Sequence, residues 1–122
     1  MIKFIQCVRR KPDLDPAEFR GRWQDYLDAI QRVVKLTEVV RMTSSYALAH
    51  ETNALVQSAR GTDDPFDAVL EVWWQVGAPA MQRLAEDDAK EMLQKTRGML
   101  VEIIDVKRSS FFLSDEEVLI EG

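Results

Sequence analysis

From Ile2 to Val8 apolar and mixed positions alternate without Gly or Pro, which predicts a strand, and the basic run Arg9-Arg10-Lys11 ends it. A helix start follows. Asp15 can accept from the free N–H groups of a first turn, Pro16 suits the first helical position, and Glu18 completes a capping box; Leu14 and Phe19 are placed as a hydrophobic staple. Phe19, Trp23, Leu27, Ile30 and Val34 then recur at spacings of four and three, so one side of a helix reaching about Lys35 is apolar. Arg20, Gln24, Asp28 and Gln31 take its wet side.

Thr37 to His50 is rich in β-branched and aromatic residues and reads as a second strand, with Met42, Ser44, Tyr46, Leu48 and His50 on one face. Thr52 is placed to cap a short helical turn through Ala59, and Arg60-Gly61-Thr62-Asp63-Asp64-Pro65 reads as a loop. Phe66 to Val76 is nearly continuous in apolar residues, broken by Asp67, Glu71 and Gln75, as expected of a central strand covered on both faces. A helix starts at Gly77-Ala78-Pro79, and a second segment capped by Asp87-Asp88 is expected to end at Gly98. After residues 101–105, Ser109 to Leu113 reads as a fourth strand, followed by the acidic break Asp115-Glu116-Glu117 and a strand-like tail from Val118 to Ile120.

No linker or low-complexity tract divides the chain, so residues 1–122 are expected to form a single domain. The order is β-α-β-β-α-β, an α+β arrangement of the ferredoxin-like kind, in which a four-stranded antiparallel sheet carries its helices on one face. The other face needs a cover. Packing two such sheets together provides one, so the pattern predicts a homodimer forming a dimeric α/β barrel.

Charge and composition narrow the partners. The net charge of −5 disfavours a phosphate backbone, so no nucleic acid is expected. Residues 1–61 hold 10 basic and 7 acidic side chains, +3, and residues 62–122 hold 6 and 14, −8; surface composition explains that asymmetry as well as a self-complementary contact does. No stretch approaches the length of a membrane span, no leader precedes the first strand, and Cys7 is the single cysteine, which together suggest a cytoplasmic protein. One Cys and one His leave no set of the usual ligands for a metal within a subunit. Gly-rich phosphate loops and nucleophile elbows are missing as well, so no nucleotide and no other cofactor is expected.

Three groups of residues are candidates for chemistry. His50, at the same strand parity as Tyr46, is a candidate general base with that phenol beside it, or else a strand-end histidine in water. Glu71 is the next catalytic candidate, because burial on a central strand would favour its protonated form; the alternative is an ion pair with Lys3 or Arg41. Trp23, Tyr26, Tyr46, Trp73 and Trp74 are candidates for an aromatic wall around a flat ligand, although the apolar helical spacing of Trp23 favours core for that residue. Adjacent residues of a strand point to opposite faces, so at most one of Trp73 and Trp74 can face the helices. Asp25 and Asp28, three apart on the first helix, read as a solvated face.

Four stretches resemble the EthD family, named for an ethyl tert-butyl ether degradation cluster, within the wider dimeric α/β-barrel group. They are Met1-Ile-Lys-Phe leading to Val8-Arg9-Arg10-Lys11-Pro12, Phe19-Arg20-Gly21-Arg22-Trp23, Asp64 to Trp73, and Ile104-Asp105 with Arg108-Ser109 and Phe111-Phe112. The resemblance implies a pocket between the helices and their sheet face, and a small, often aromatic ligand handled without a nucleotide. The wider group includes polyketide cyclases, cofactor-free monooxygenases, muconolactone isomerases and haem enzymes, so the fold alone does not choose a reaction. In one respect the chain departs from the family: four residues after Trp23, where relatives carry His, it has Leu27, followed by Asp28 and Ala29. An acid–base role tied to that histidine has no heir here, and this moves weight toward the alternative of a noncatalytic accessory module that assists a partner enzyme.

Overall fold

The computed structural model describes every residue from Met1 to Gly122. Its strands are β1 (Ile2–Val8), β2 (Arg41–Tyr46), β3 (Ala68–Trp74) and β4 (Ser110–Asp115); its helices are α1 (Pro16–Val34), α2 (His50–Arg60), α3 (Gly77–Leu84) and α4 (Asp87–Val101). The sheet order is β2-β3-β1-β4 and every neighbouring pair is antiparallel. This is the split β-α-β arrangement: β3 inserts between β1 and β2, and α1 crosses over the sheet to join those two. The fold is α+β and ferredoxin-like.

The helix start at Asp15 forms as expected, but only the Asp15 half of the capping box is made, since the Glu18 carboxylate lies toward Arg22 at 4.0 Å instead of accepting from the Asp15 N–H. The Asp15 carboxylate accepts from the Ala17 N–H at 2.8 Å and the Glu18 N–H at 3.4 Å, with Pro16 opening the helix. Phe19, Trp23, Tyr26, Leu27, Ile30, Val33 and Val34 are buried along α1 and meet Val8, Leu70, Val72 and Trp74 of the sheet in one core of 16 residues, closed by Leu100, Ile103 and Ile104. Leu27, at the position of the family's histidine, is part of that core. Asp25 and Asp28 are exposed, as a solvated face requires.

Several boundaries differ from expectation, and three of them have a clear local reason. First, the second strand runs only from Arg41 to Tyr46: Thr37, its expected start, closes a 3-10 turn over Lys35–Thr37, and His50 opens α2 instead of closing a strand, with Ala49 rather than Thr52 at the cap. Beyond Tyr46 the chain has left β3, whose pairing with β2 stops at Tyr46 opposite Ala68, so no ladder remains to hold an extended backbone. Second, α4 runs through Gly98 to Val101; Gly98 is tolerated because the following turn must deliver Leu100 and Ile103 to the core. Third, Val118 to Ile120 form no strand and lie open to solvent. The break between α3 and α4 does occur, and a bidentate pair spans it: Arg83 donates to the two Asp88 carboxylate oxygens at 2.8 and 2.9 Å. The Arg83 hydrogen bonds hold the Asp88 carboxyl down to about 2.

The helices α1, α3 and α4 lie on one face of the sheet. Strand register places Lys3, Ile5 and Cys7 of β1, Val69, Glu71 and Trp73 of β3, and Phe112 of β4 on the other. No helix is long and apolar enough to cross a membrane.

Candidate functional site

A cavity of about 360 Å³ lies between the helices and the sheet. Its floor is the sheet, through Phe4 and Gln6 of β1, Leu70, Val72 and Trp74 of β3, and Phe111 of β4. Its roof is Tyr26, Ile30, Val33 and Val34 of α1, and its sides are Leu84 of α3 with Leu93, Thr96, Arg97, Leu100 and Val101 of α4. Ile104 and Val106 complete the wall. Of these 18 residues 15 are hydrophobic, so the space favours an apolar occupant.

The alternation of each strand explains the floor. Phe4, Gln6 and Val8 share the inward parity of β1, and Leu70, Val72 and Trp74 face them across the antiparallel register. Trp74 is the tryptophan of the pair that reaches the cavity. Its indole N–H donates to the Thr37 hydroxyl at 2.8 Å, and that hydroxyl donates to the Val34 carbonyl, so the ring presents its apolar surface with its one polar group satisfied. Trp73 points the other way. Its indole N–H donates to Glu116 at 2.6 Å, and the Lys3 ammonium and Arg41 guanidinium lie 4.7 and 5.1 Å from its ring.

Tyr26 lines the roof, and its hydroxyl donates to the Gln6 amide oxygen at 3.1 Å. Burial pushes this phenol up to about 12, against a smaller opposing effect of the Gln6 hydrogen bond. The Thr96 hydroxyl is turned back onto the Leu93 carbonyl at 2.9 Å, and Arg97 is exposed at the cavity's edge. No His, Cys, Asp or Glu lines the cavity. Its polar groups can therefore orient a ligand by hydrogen bonds, but none is a base near neutrality.

The remaining candidates lie elsewhere. Trp23 is core, fully buried behind the cavity wall, and donates to the Ser44 hydroxyl at 3.1 Å. Tyr46 lies under the Arg20 guanidinium, 3.5 Å from the ring centre, and its hydroxyl accepts from Gln24. The expected His50–Tyr46 pairing rested on shared strand parity, and that premise fails: His50 is an exposed residue of α2, whereas Tyr46 closes β2. Glu71 is half-buried on the far face of the sheet and pairs with Lys3 at 3.0 Å, the ion pair weighed from the sequence. Gln6 was missed, because a single glutamine in an alternating strand reads as an ordinary outward position; its parity with Phe4 and Val8 was the signal that placed it inside.

Comparison with known proteins places this geometry among relatives. The sequence model of the EthD domain matches residues 11–98. No curated protein matches the chain. Among solved structures, an ethyl tert-butyl ether degradation (EthD) family protein from Bacillus halodurans is similar with a TM-score of 0.63 at 12% identity, over 96% of this chain and 99% of that one. SnoaB, a cofactor-independent oxygenase from Streptomyces nogalater, is similar with a TM-score of 0.58 at 16% identity, over 98% and 97%. A dimeric protein of unknown function and ferredoxin-like fold from Bacteroides fragilis gives 0.63 at 9% identity, over 94% and 95%. With the EthD model covering most of its length and the solved structures sharing its fold, the chain belongs to the EthD family.

Proposed function

We propose that residues 1–122 form one EthD-type domain that acts as a homodimer in the cytoplasm and binds a small apolar or aromatic metabolite in the helix–sheet cavity, without a nucleotide cofactor. The observation that carries the reading is the cavity itself: about 360 Å³ enclosed by 15 hydrophobic residues, with an aromatic surface at Trp74 and the Tyr26–Gln6 pair as polar tips. That is the size and chemistry of a small-ligand site. Tyr26 and Trp74 are the ligand-binding residues of this reading. The homodimer is supported by the apolar and charged mixture on the helix-free face and by the dimeric neighbour of the same fold. The sole cysteine, Cys7, is a free thiol, in keeping with a reducing compartment.

A second reading, a noncatalytic accessory module, is favoured by one feature: the cavity wall contains no side-chain base. Thermal-shift and tryptophan-fluorescence screening with planar aromatic compounds separates the two. The binding reading expects several two-ring compounds to raise the unfolding temperature and quench emission, because Trp74 forms part of the wall. An aromatic library that produces neither effect at millimolar concentration contradicts it and leaves the accessory role.

A further inference from the structure

Gln6 is a polar side chain in an apolar wall, and its two ends are used unequally. The residue is 6% exposed and lies on the cavity floor. Its amide oxygen accepts from Tyr26 at 3.1 Å; its amide nitrogen has no hydrogen-bond partner in the protein. That nitrogen is not sealed in the core, since no fully buried side-chain nitrogen or oxygen of the chain lacks a partner, so it faces the cavity. Tyr26 holds the carbonyl end, and in doing so turns the NH2 end away from itself toward the open volume.

The other polar groups of the wall are already committed. Thr96 donates to Leu93 and Trp74 donates to Thr37, while Arg97 sits at the exposed edge. The Gln6 amide is thus the free donor of the inner wall. Resting on the reading of this cavity as a ligand site, we propose that its ligand carries a hydrogen-bond-accepting oxygen, as in a ketone or quinone of one or two fused rings, and that the Gln6 N–H groups receive it. A pure hydrocarbon of the same shape would leave those N–H groups unpaired, and a site with a buried donor discriminates against a ligand that lacks the acceptor.

Isothermal titration calorimetry with α-tetralone, tetralin and α-naphthylamine tests this, because the three share a two-ring body and differ in offering an acceptor, neither group, or chiefly a donor. The wild-type protein should bind α-tetralone about tenfold more tightly than tetralin. A Gln6→Met/Tyr26→Phe double variant, which removes both partners and so leaves no orphaned hydroxyl, should bind the two alike. If the double variant does not fold, the wild-type comparison decides alone. Equal wild-type affinity for ketone and hydrocarbon, a preference for the amine, or a ketone preference that survives in the double variant would overturn the role of Gln6 while leaving the cavity a ligand site. Failure of all three probes to bind would instead overturn the cavity reading on which the proposal rests.

Discussion

Trp73 and Trp74 are adjacent, chemically identical and placed in opposite environments, one against Lys3 and Arg41 on the helix-free face and the other in the cavity wall. Strand alternation made the division legible from the sequence, but the side each takes depends on the register with β1, which a single strand does not carry. Gln6 and Tyr26 illustrate the same limit: each was an ordinary residue of its element, and only tertiary packing joins them. Tyr26 yields a prediction with a defined sign. Its folded-state phenol is raised from 10.0 to about 12, so its contribution to stability is fully present below 10.0 and is lost as pH rises through about 12. Denaturant unfolding of the wild type should weaken across that window, and Tyr26→Phe should flatten the slope. An unchanged alkaline slope in the variant would show that Tyr26 is not the group being titrated.

At the scale of elements, α1 was the most legible, because its cap, its proline and its apolar stripe are all local signals that agree. The segment after Tyr46 was the least. Ala47, Leu48 and Ala49 suit a strand or a helix start equally, and the end of the β3 partner strand decides between them. Gly98 misled for a related reason: glycine commonly ends helices, yet here the core contacts beyond it carry the helix on. Two substitutions follow. A Cβ at Gly98 meets nothing within 4 Å, so Gly98→Ala should stabilise the protein by about 0.5–1 kcal/mol through reduced backbone entropy. Asp15→Ala removes the oxygen that serves Ala17 and Glu18 and should cost about 1 kcal/mol. Urea titrations check both, and a destabilising Gly98→Ala or a neutral Asp15→Ala would contradict the assignments.

For the whole molecule, the sequence reading of two unlike sheet faces carries the most consequence. Ile5, Val69 and Phe112 form an apolar set beside the Lys3–Glu71 pair, with Phe112 46% exposed in the single chain. Further apolar side chains stand open on Leu55 of α2, a helix that buries no residue, and on Leu119 and Ile120 of the tail. Water penalises such surface by about 25 cal/mol per Å² of apolar area left uncovered. Sedimentation at micromolar concentration should therefore give twice the chain mass, and Phe112→Glu should shift it toward the monomer by placing a charge on the contact face. Cys7 provides an independent readout on the same face, since burial, with the negative charge of Glu71 adding to it, already pushes its thiol up. Alkylation should be slow in the wild type and faster in Phe112→Asn, which opens the contact face without adding a charge beside the thiol. A monomeric wild type, or equal alkylation rates in both proteins, would contradict the sheet-to-sheet dimer.

The central claim is that the space between helices and sheet is where a ligand sits, and methyl-resolved NMR with a planar two-ring ketone tests it most directly. Resonances of Leu70, Val72, Leu93, Leu100 and Ile104 surround that space and should shift together as the compound is added. Those of Ile5 and Val69, on the opposite face of the same sheet, should stay in place. Shifts concentrated at Ile5 and Val69, or no shifts among the lining methyls at saturating compound, would contradict the claim.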